Sequence, residues 1–150
     1  MARVVREGTT ILIADDDAML LKATSMMLHR SGYRVLTAPD GEAALRTFEK
    51  APHPIQLVIA DVMMPRMMGP QLVRSIKNRS GSTATLLMSG SRPIASDAAT
   101  ASIEKPFTRE AFVAKVRDLL AGCDFDKIAR EQSAARVSDS SEYGAGSSRG

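Results

Sequence analysis

Thr10-Ile11-Leu12-Ile13-Ala14-Asp15-Asp16-Asp17 joins a short β-branched apolar run to three consecutive aspartates. Three later stretches share its form. Leu57-Val58-Ile59-Ala60 ends at Asp61, Leu86-Leu87-Met88 ends at Ser89, and Ile103-Glu104 ends at Lys105 and Pro106. The runs are near-continuously apolar rather than alternating, as in strands covered on both faces. Short buried strands that each end in a polar residue are what a parallel sheet gives when its strand C-termini converge on one crevice, where open α/β sheets bind ligands. Residues as far apart as 15 and 105 are therefore expected to meet in one pocket. It would hold several carboxylates, one hydroxyl and one amine, a set suited to a divalent cation and a phosphoryl group.

Helical signals fill the intervals. Ala18–Arg30 carries Leu20, Ala23 and Met27 at helical spacing, with Gly32 just past its end. Tyr33–Ala38 reads as another strand. Asp40 suits the N-cap of a helix with Ala44, Leu45 and Phe48 on one face, and Pro52 and Pro54 break it. Gly69-Pro70 opens the next helix, with proline where its missing N–H costs nothing; Leu72, Val73 and Ile76 form its buried face and Gly81 ends it. Thr108 caps a last clear helix with Phe112, Val116, Leu119 and Leu120 on one side and Gly122 after it. This alternation predicts the α/β class: a three-layer fold with a five-stranded parallel sheet, right-handed crossovers and helices on both faces. Gly90 to Glu104 must fit a loop, a helix, another loop and a strand into 15 residues. That is less than an average helix with its connections needs, so a short or irregular fourth helix is expected. Beyond Gly122, residues 125–136 show only a weak helical pattern through Phe125, Ile128 and Ala135. Residues 137–150 are mostly Ser, Gly and charged side chains and read as disordered. The expected division is one domain over 1–121 and a mostly disordered tail over 122–150.

With 150 residues, 44% hydrophobic and 25% charged, the chain fits one soluble domain with a real core. The net charge of +3 and pI near 9.3 invite a nucleic-acid reading, but the basic residues are scattered, without a basic run or interleaved aromatics, and no DNA partner is expected. Cys123 is the single cysteine, so no intrachain disulfide forms. Met1 to Thr10 holds no apolar segment of the kind a signal peptide needs, and no stretch approaches the ~20 apolar residues of a membrane span. A reducing cytoplasm is the expected location.

Helix capping would account for one aspartate after the first strand, not three. No helix starts directly after Asp61, so capping explains it poorly. Carboxylates brought within a few ångströms raise one another's pKa unless a cation intervenes. Mg²⁺ is a hard ion that takes carboxylate, water and phosphate oxygens. One carboxylate can then act as nucleophile toward phosphorus, given in-line positioning and neutralised charge. Lys105 would supply a fixed positive charge and Ser89 a hydroxyl donor.

The order Asp-Asp, then Asp within LVIADVMMP, then Ser-Gly in LLMSGS, then EKPF resembles the receiver domain of two-component response regulators. The resemblance covers residues ~10 to ~121. It implies a flavodoxin-like strand order of 2-1-3-4-5. It also implies that Asp61 accepts a phosphoryl group from a histidine kinase or histidine phosphotransfer protein, and that Asp15, Asp16 and Asp61 hold Mg²⁺ with the backbone carbonyl of Met63. Ser89 would hydrogen-bond the phosphoryl group beside Gly90, with Lys105 as its partner and a cis peptide to Pro106. The signal would leave through contact with a downstream protein of unknown identity, and a homodimer of the phosphorylated form stays open. One departure stands out: where the family usually carries an aromatic switch residue, three positions before the lysine, this chain has Ser102. Met63, Met64, Met67 and Met68 cluster beside Asp61, either as gap-filling side chains or as an adaptable contact surface. Two alternatives remain. Asp15-Asp16-Asp17 also fits the Asp-x-Asp motif of haloacid-dehalogenase-like phosphatases, with Asp15 as nucleophile and Asp17 as acid/base, though Asp61 would then lack a task. The other is a binding module that keeps the fold without phosphorylation.

Overall fold

The computed structural model describes residues 8–90 and 100–147, with side chains through residue 136. The first apolar run forms β1 (Thr10–Ala14), buried at every position. It leads into α1 (Ala18–Arg30), β2 (Arg34–Ala38), α2 (Gly41–Lys50), β3 (Leu57–Asp61), α3 (Gly69–Arg79), β4 (Ala84–Ser89), β5 (Ala101–Glu104), α4 (Arg109–Ala121) and α5 (Phe125–Ser147). All pairings in the sheet are parallel and the order is β2-β1-β3-β4-β5. This is the flavodoxin-like α/β architecture expected from the sequence. The expected short or irregular fourth helix falls on residues 91–99, outside the described residues.

The period-two geometry of a strand divides each apolar run between two cores. Leu12, Ala14, Val58, Ala60 and Leu87 face Ala44 and Phe48 of α2 and Leu72, Val73 and Ile76 of α3. Ile11, Ile13, Leu57, Ile59, Leu86 and Met88 face Leu28 of α1 and Phe112, Val116 and Leu120 of α4. Each Val, Leu, Ile, Phe or Met side chain among them contributes roughly 1.5–3 kcal/mol on burial, which explains runs without alternation. The in-register pairs Ile11↔Leu57 and Leu57↔Ala84 bring the C-terminal ends of β1, β3 and β4 to one edge.

The C-terminal boundary differs from expectation. Packing does not end at residue 121. A helix, α5, starts at Phe125 within the segment read as a mostly disordered tail. Ile128 is fully buried and Gln132 nearly so. The weak apolar pattern concealed this because the docking is largely polar: Gln132 bonds the backbone of Ile55, 77 residues away in sequence.

Candidate functional site

The three aspartates after β1 divide their tasks. Asp17 is the N-cap of α1, and its Oδ1 accepts from the N–H groups of Met19 at 3.1 Å and Leu20 at 3.2 Å. That employment satisfies two otherwise orphaned helix donors and leaves Asp15 and Asp16 for other work. Asp15 is only 1% exposed. Its backbone N–H donates to the Ala38 carbonyl at 3.1 Å, fixing the residue at the end of β1. Its Oδ1 accepts from the Asp17 N–H at 3.0 Å. Its Oδ2 is buried and has no hydrogen-bond partner among the described residues. Asp16 is exposed.

Asp61 is the last residue of β3, buried, and its Oδ1 accepts from Lys105 Nζ at 2.8 Å. The same ammonium stands 3.7 Å from Asp15 Oδ2, an ion-pair distance too long for a hydrogen bond. Asp15, Asp16 and Asp61 each offer a carboxylate oxygen, and these oxygens lie within 4.8 Å of one another. Two of the three carboxylates, Asp15 and Asp61, thus share one lysine. Burial pushes the Asp15 carboxyl above its usual range; the Asp17 N–H and the Lys105 charge oppose this, while the charges of Asp61 and Asp16 add to it. A buried carboxylate oxygen without a donor, beside two further carboxylates, fits a hard divalent cation that binds through oxygen.

Ser89 ends β4 and is buried, and its carbonyl accepts from the Lys105 N–H at 2.7 Å, which ties the lysine backbone to the end of that strand. The Lys105–Pro106 peptide is cis. Gly90 is exposed, and the Met63 side chain, two residues past Asp61, is 67% exposed. Ser102 lies exposed on β5, paired in register with Leu87. The position where the family usually carries an aromatic therefore presents a hydroxyl to the surface. The aromatic pair in this region is instead Phe107 stacked on Phe112, with centroids 4.9 Å apart.

The loop after Asp61 is held by features the sequence reading missed. The Val62 N–H donates to Met88 and the Gly69 N–H donates to Val62. A Cβ on Gly69 would collide with the Asp61 carbonyl, and one on Gly41 with the Met67 carbonyl. Gly69 had been read only as a helix opener; its neighbour across the loop is not visible in a linear pattern. Arg66 adopts a left-handed conformation at φ 68° and reaches Asp40 Oδ2 at 3.6 Å, while Asp40 Oδ1 caps α2 through the Ala43 N–H. The methionine cluster divides: Met64 is buried and Met67 packs against the core, while Met63 and Met68 are exposed.

Residues 11–117 match the family described as response regulator receiver domain. The response regulator GtcR of Aneurinibacillus migulanus is 41% identical over 69 residues, covering 46% of this chain and 28% of that one. A response regulator receiver domain protein from Clostridium thermocellum superposes with a TM-score of 0.70 at 25% identity, covering 75% of this chain and 94% of its own. The receiver domain of the sensor histidine kinase PA1611 from Pseudomonas aeruginosa PAO1, described with a magnesium ion coordinated in its active site cleft, shares the fold at a TM-score of 0.68 and 21% identity, covering 77% of this chain and 99% of its own. The chain spans half or less of the length of curated relatives such as GtcR and the regulator CseB of Streptomyces coelicolor. On a match that runs through β1 to α4 and takes in Asp15, Asp16, Asp61, Ser89 and Lys105, this chain belongs to the response regulator receiver domain family.

Proposed function

We propose that this domain is a phosphorylation-dependent signalling switch with Asp61 as its phosphoacceptor. The observation that carries the reading is the Lys105 ammonium at 2.8 Å from Asp61 Oδ1, with Asp15 and Asp16 alongside. A carboxylate oxygen of Asp61 forms the new P–O bond as the P–N bond of a phosphohistidine donor breaks. The departing imidazole keeps the electron pair and takes a proton from solvent. Lys105 offsets the charge that accumulates on the phosphoryl oxygens. Ser89 donates its hydroxyl to the phosphoryl group, and Gly90 leaves room beside it. Asp15, Asp16, Asp61 and the Met63 backbone carbonyl would hold Mg²⁺, which when bound supplies further charge neutralisation at the same place.

Once Asp61 is esterified, Lys105 and Ser89 are drawn to the phosphoryl oxygens, and the loops after β3 and β4 shift between two pre-existing arrangements. The donor is a histidine kinase or histidine phosphotransfer protein, and the output is contact with a downstream protein rather than DNA. A homodimer of the phosphorylated form is compatible with this scheme. No helix among the described residues is long and apolar enough to cross a membrane, and a reducing cytoplasm suits a chain whose one thiol is free.

The test is incubation with Mg²⁺ and acetyl phosphate. A hydroxylamine-labile phosphoryl label is expected on the wild type and absent from Asp61→Asn. A label lost only in Asp15→Asn would instead support the phosphatase chemistry, although Asp17, its required acid/base, is engaged as a helix cap. Absence of label with Mg²⁺ bound normally would leave a binding module.

A further inference from the structure

α5 sits at the end of the sheet opposite the acidic pocket, and its attachment has an unusual composition. Gln132 Oε1 accepts from the Ile55 N–H at 2.9 Å, and Gln132 Nε2 donates to the Ile55 carbonyl at 2.6 Å and to Thr83 Oγ1 at 3.0 Å. One side-chain amide thereby satisfies both backbone groups of a residue just ahead of β3, as a neighbouring strand would. Glu131 Oε1 accepts from the Ser82 N–H at 2.8 Å and the Ser80 hydroxyl at 3.3 Å, and its Oε2 accepts from the Ser82 hydroxyl at 3.2 Å, just ahead of β4. Ile128, 0% exposed, is the large apolar anchor, and Phe125 packs half-buried against the core face that holds α4. Of residues 125–136, only Ile128 and Gln132 are buried. The family match ends at residue 117, ahead of the start of α5.

We infer that residues 125–136 are a releasable strap. They dock through Ile128, Glu131 and Gln132 on the lead-ins to β3 and β4, and they open as a separate cooperative unit while the sheet and the acidic pocket stay folded. Elements with few buried apolar contacts and hydrogen bonds near solvent are those that open below the global unfolding free energy. The strap has one buried apolar side chain, Ile128, and beside the buried bonds of Gln132 its Glu131 bonds are only part-buried, whereas β1 and β3 are buried at every position. Its short connection to α4, Gly122-Cys123-Asp124, lets it leave the edge without unwinding α4. Opening frees the Ile55 N–H and carbonyl and the Ser82 N–H together, so loss of the amide at residue 132 speeds opening of the whole strap rather than of one bond. The inference concerns the edge far from Asp61 and stands independently of the phosphorylation reading.

Native-state hydrogen exchange on the full chain tests it. In the wild type, amides of 125–136 are expected to be protected yet to exchange faster than those of Leu12, Ile13, Val58 and Ile59. Gln132→Ala is expected to speed exchange in the strap by about tenfold, the scale of a lost hydrogen bond to a buried group, and to speed the β1 and β3 amides by no more than that factor, so that they stay slower than the strap. Phosphoryl labelling by acetyl phosphate is expected to be the same in wild type and Gln132→Ala. Exchange of the strap at the rate of β1 and β3 in the wild type would overturn the inference, as would unprotected strap amides. If the wild type itself takes no label, the phosphorylation reading fails and the exchange result still decides the strap.

Discussion

At the C-terminal ends of β1 and β3, three carboxylates cluster, two of them share one ammonium, and Asp15 Oδ2 is buried without a donor among the described residues. At the N-terminal lead-ins of β3 and β4, Gln132 and Glu131 pair with the backbone of Ile55 and Ser82. β3 thus begins in satisfied polar contacts and ends beside a buried carboxylate oxygen of Asp15 that has no donor among the described residues. Buried polar groups without partners cost stability, so the acidic end is tolerable chiefly as a place for a ligand. The opposite end needs none. The two carboxyls reflect this contrast: burial holds Asp15 above its usual range, whereas the Ser82 N–H holds Glu131 below its ordinary value.

Substitutions at the two ends should therefore act with opposite sign. The largest effect is expected at the strap. Ile128→Ala removes a fully buried side chain and should cost about 3 kcal/mol in urea unfolding, while folded protein still takes a label at Asp61. Retention of wild-type stability would show that the two ends do not differ in this way. A smaller effect of opposite sign is expected at the pocket. Asp15→Asn keeps an acceptor for the Asp17 N–H and removes a buried charge that faces two others. Its urea midpoint without Mg²⁺ should rise above wild type, and added Mg²⁺ should stabilise it less than wild type. A lower midpoint without Mg²⁺ would mean that Lys105 already compensates the cluster.

The smallest effect is one of acidity. Glu131 has a folded-state pKa below its ordinary value of 4.5. Its contribution is therefore complete above about that pH and is lost as pH falls through the lower folded value. Glu131→Gln should make α5 exchange less sensitive to acid over that window, read by hydrogen exchange at matched intrinsic rates. An unchanged acid response would assign the effect to other groups.

The acidic end was legible in the sequence and the strap was not, for a physical reason. Asp15, Asp16 and Asp61 follow buried apolar runs and Lys105 follows the partly exposed β5, so strand pairing carries them to one edge. Asp17 was the ambiguous member, because capping depends on the local turn rather than on the run before it. The strap is anchored by one isoleucine and two polar side chains, which leaves almost no apolar periodicity, and its partners at Ile55 and Ser82 lie 49 to 77 residues away. Gly69 and Gly41 were hidden in the same way, since the carbonyls they admit come from other segments.

The central claim is that Asp61, rather than a neighbouring carboxylate, becomes the acyl phosphate in a Mg²⁺-dependent reaction. Borohydride reduction after treatment with acetyl phosphate, followed by peptide mass mapping, locates the modified side chain. The expected result is reduction at Asp61 alone, abolished by chelation of Mg²⁺. Reduction at Asp15 or Asp16, or an equal yield with the metal removed, would contradict it.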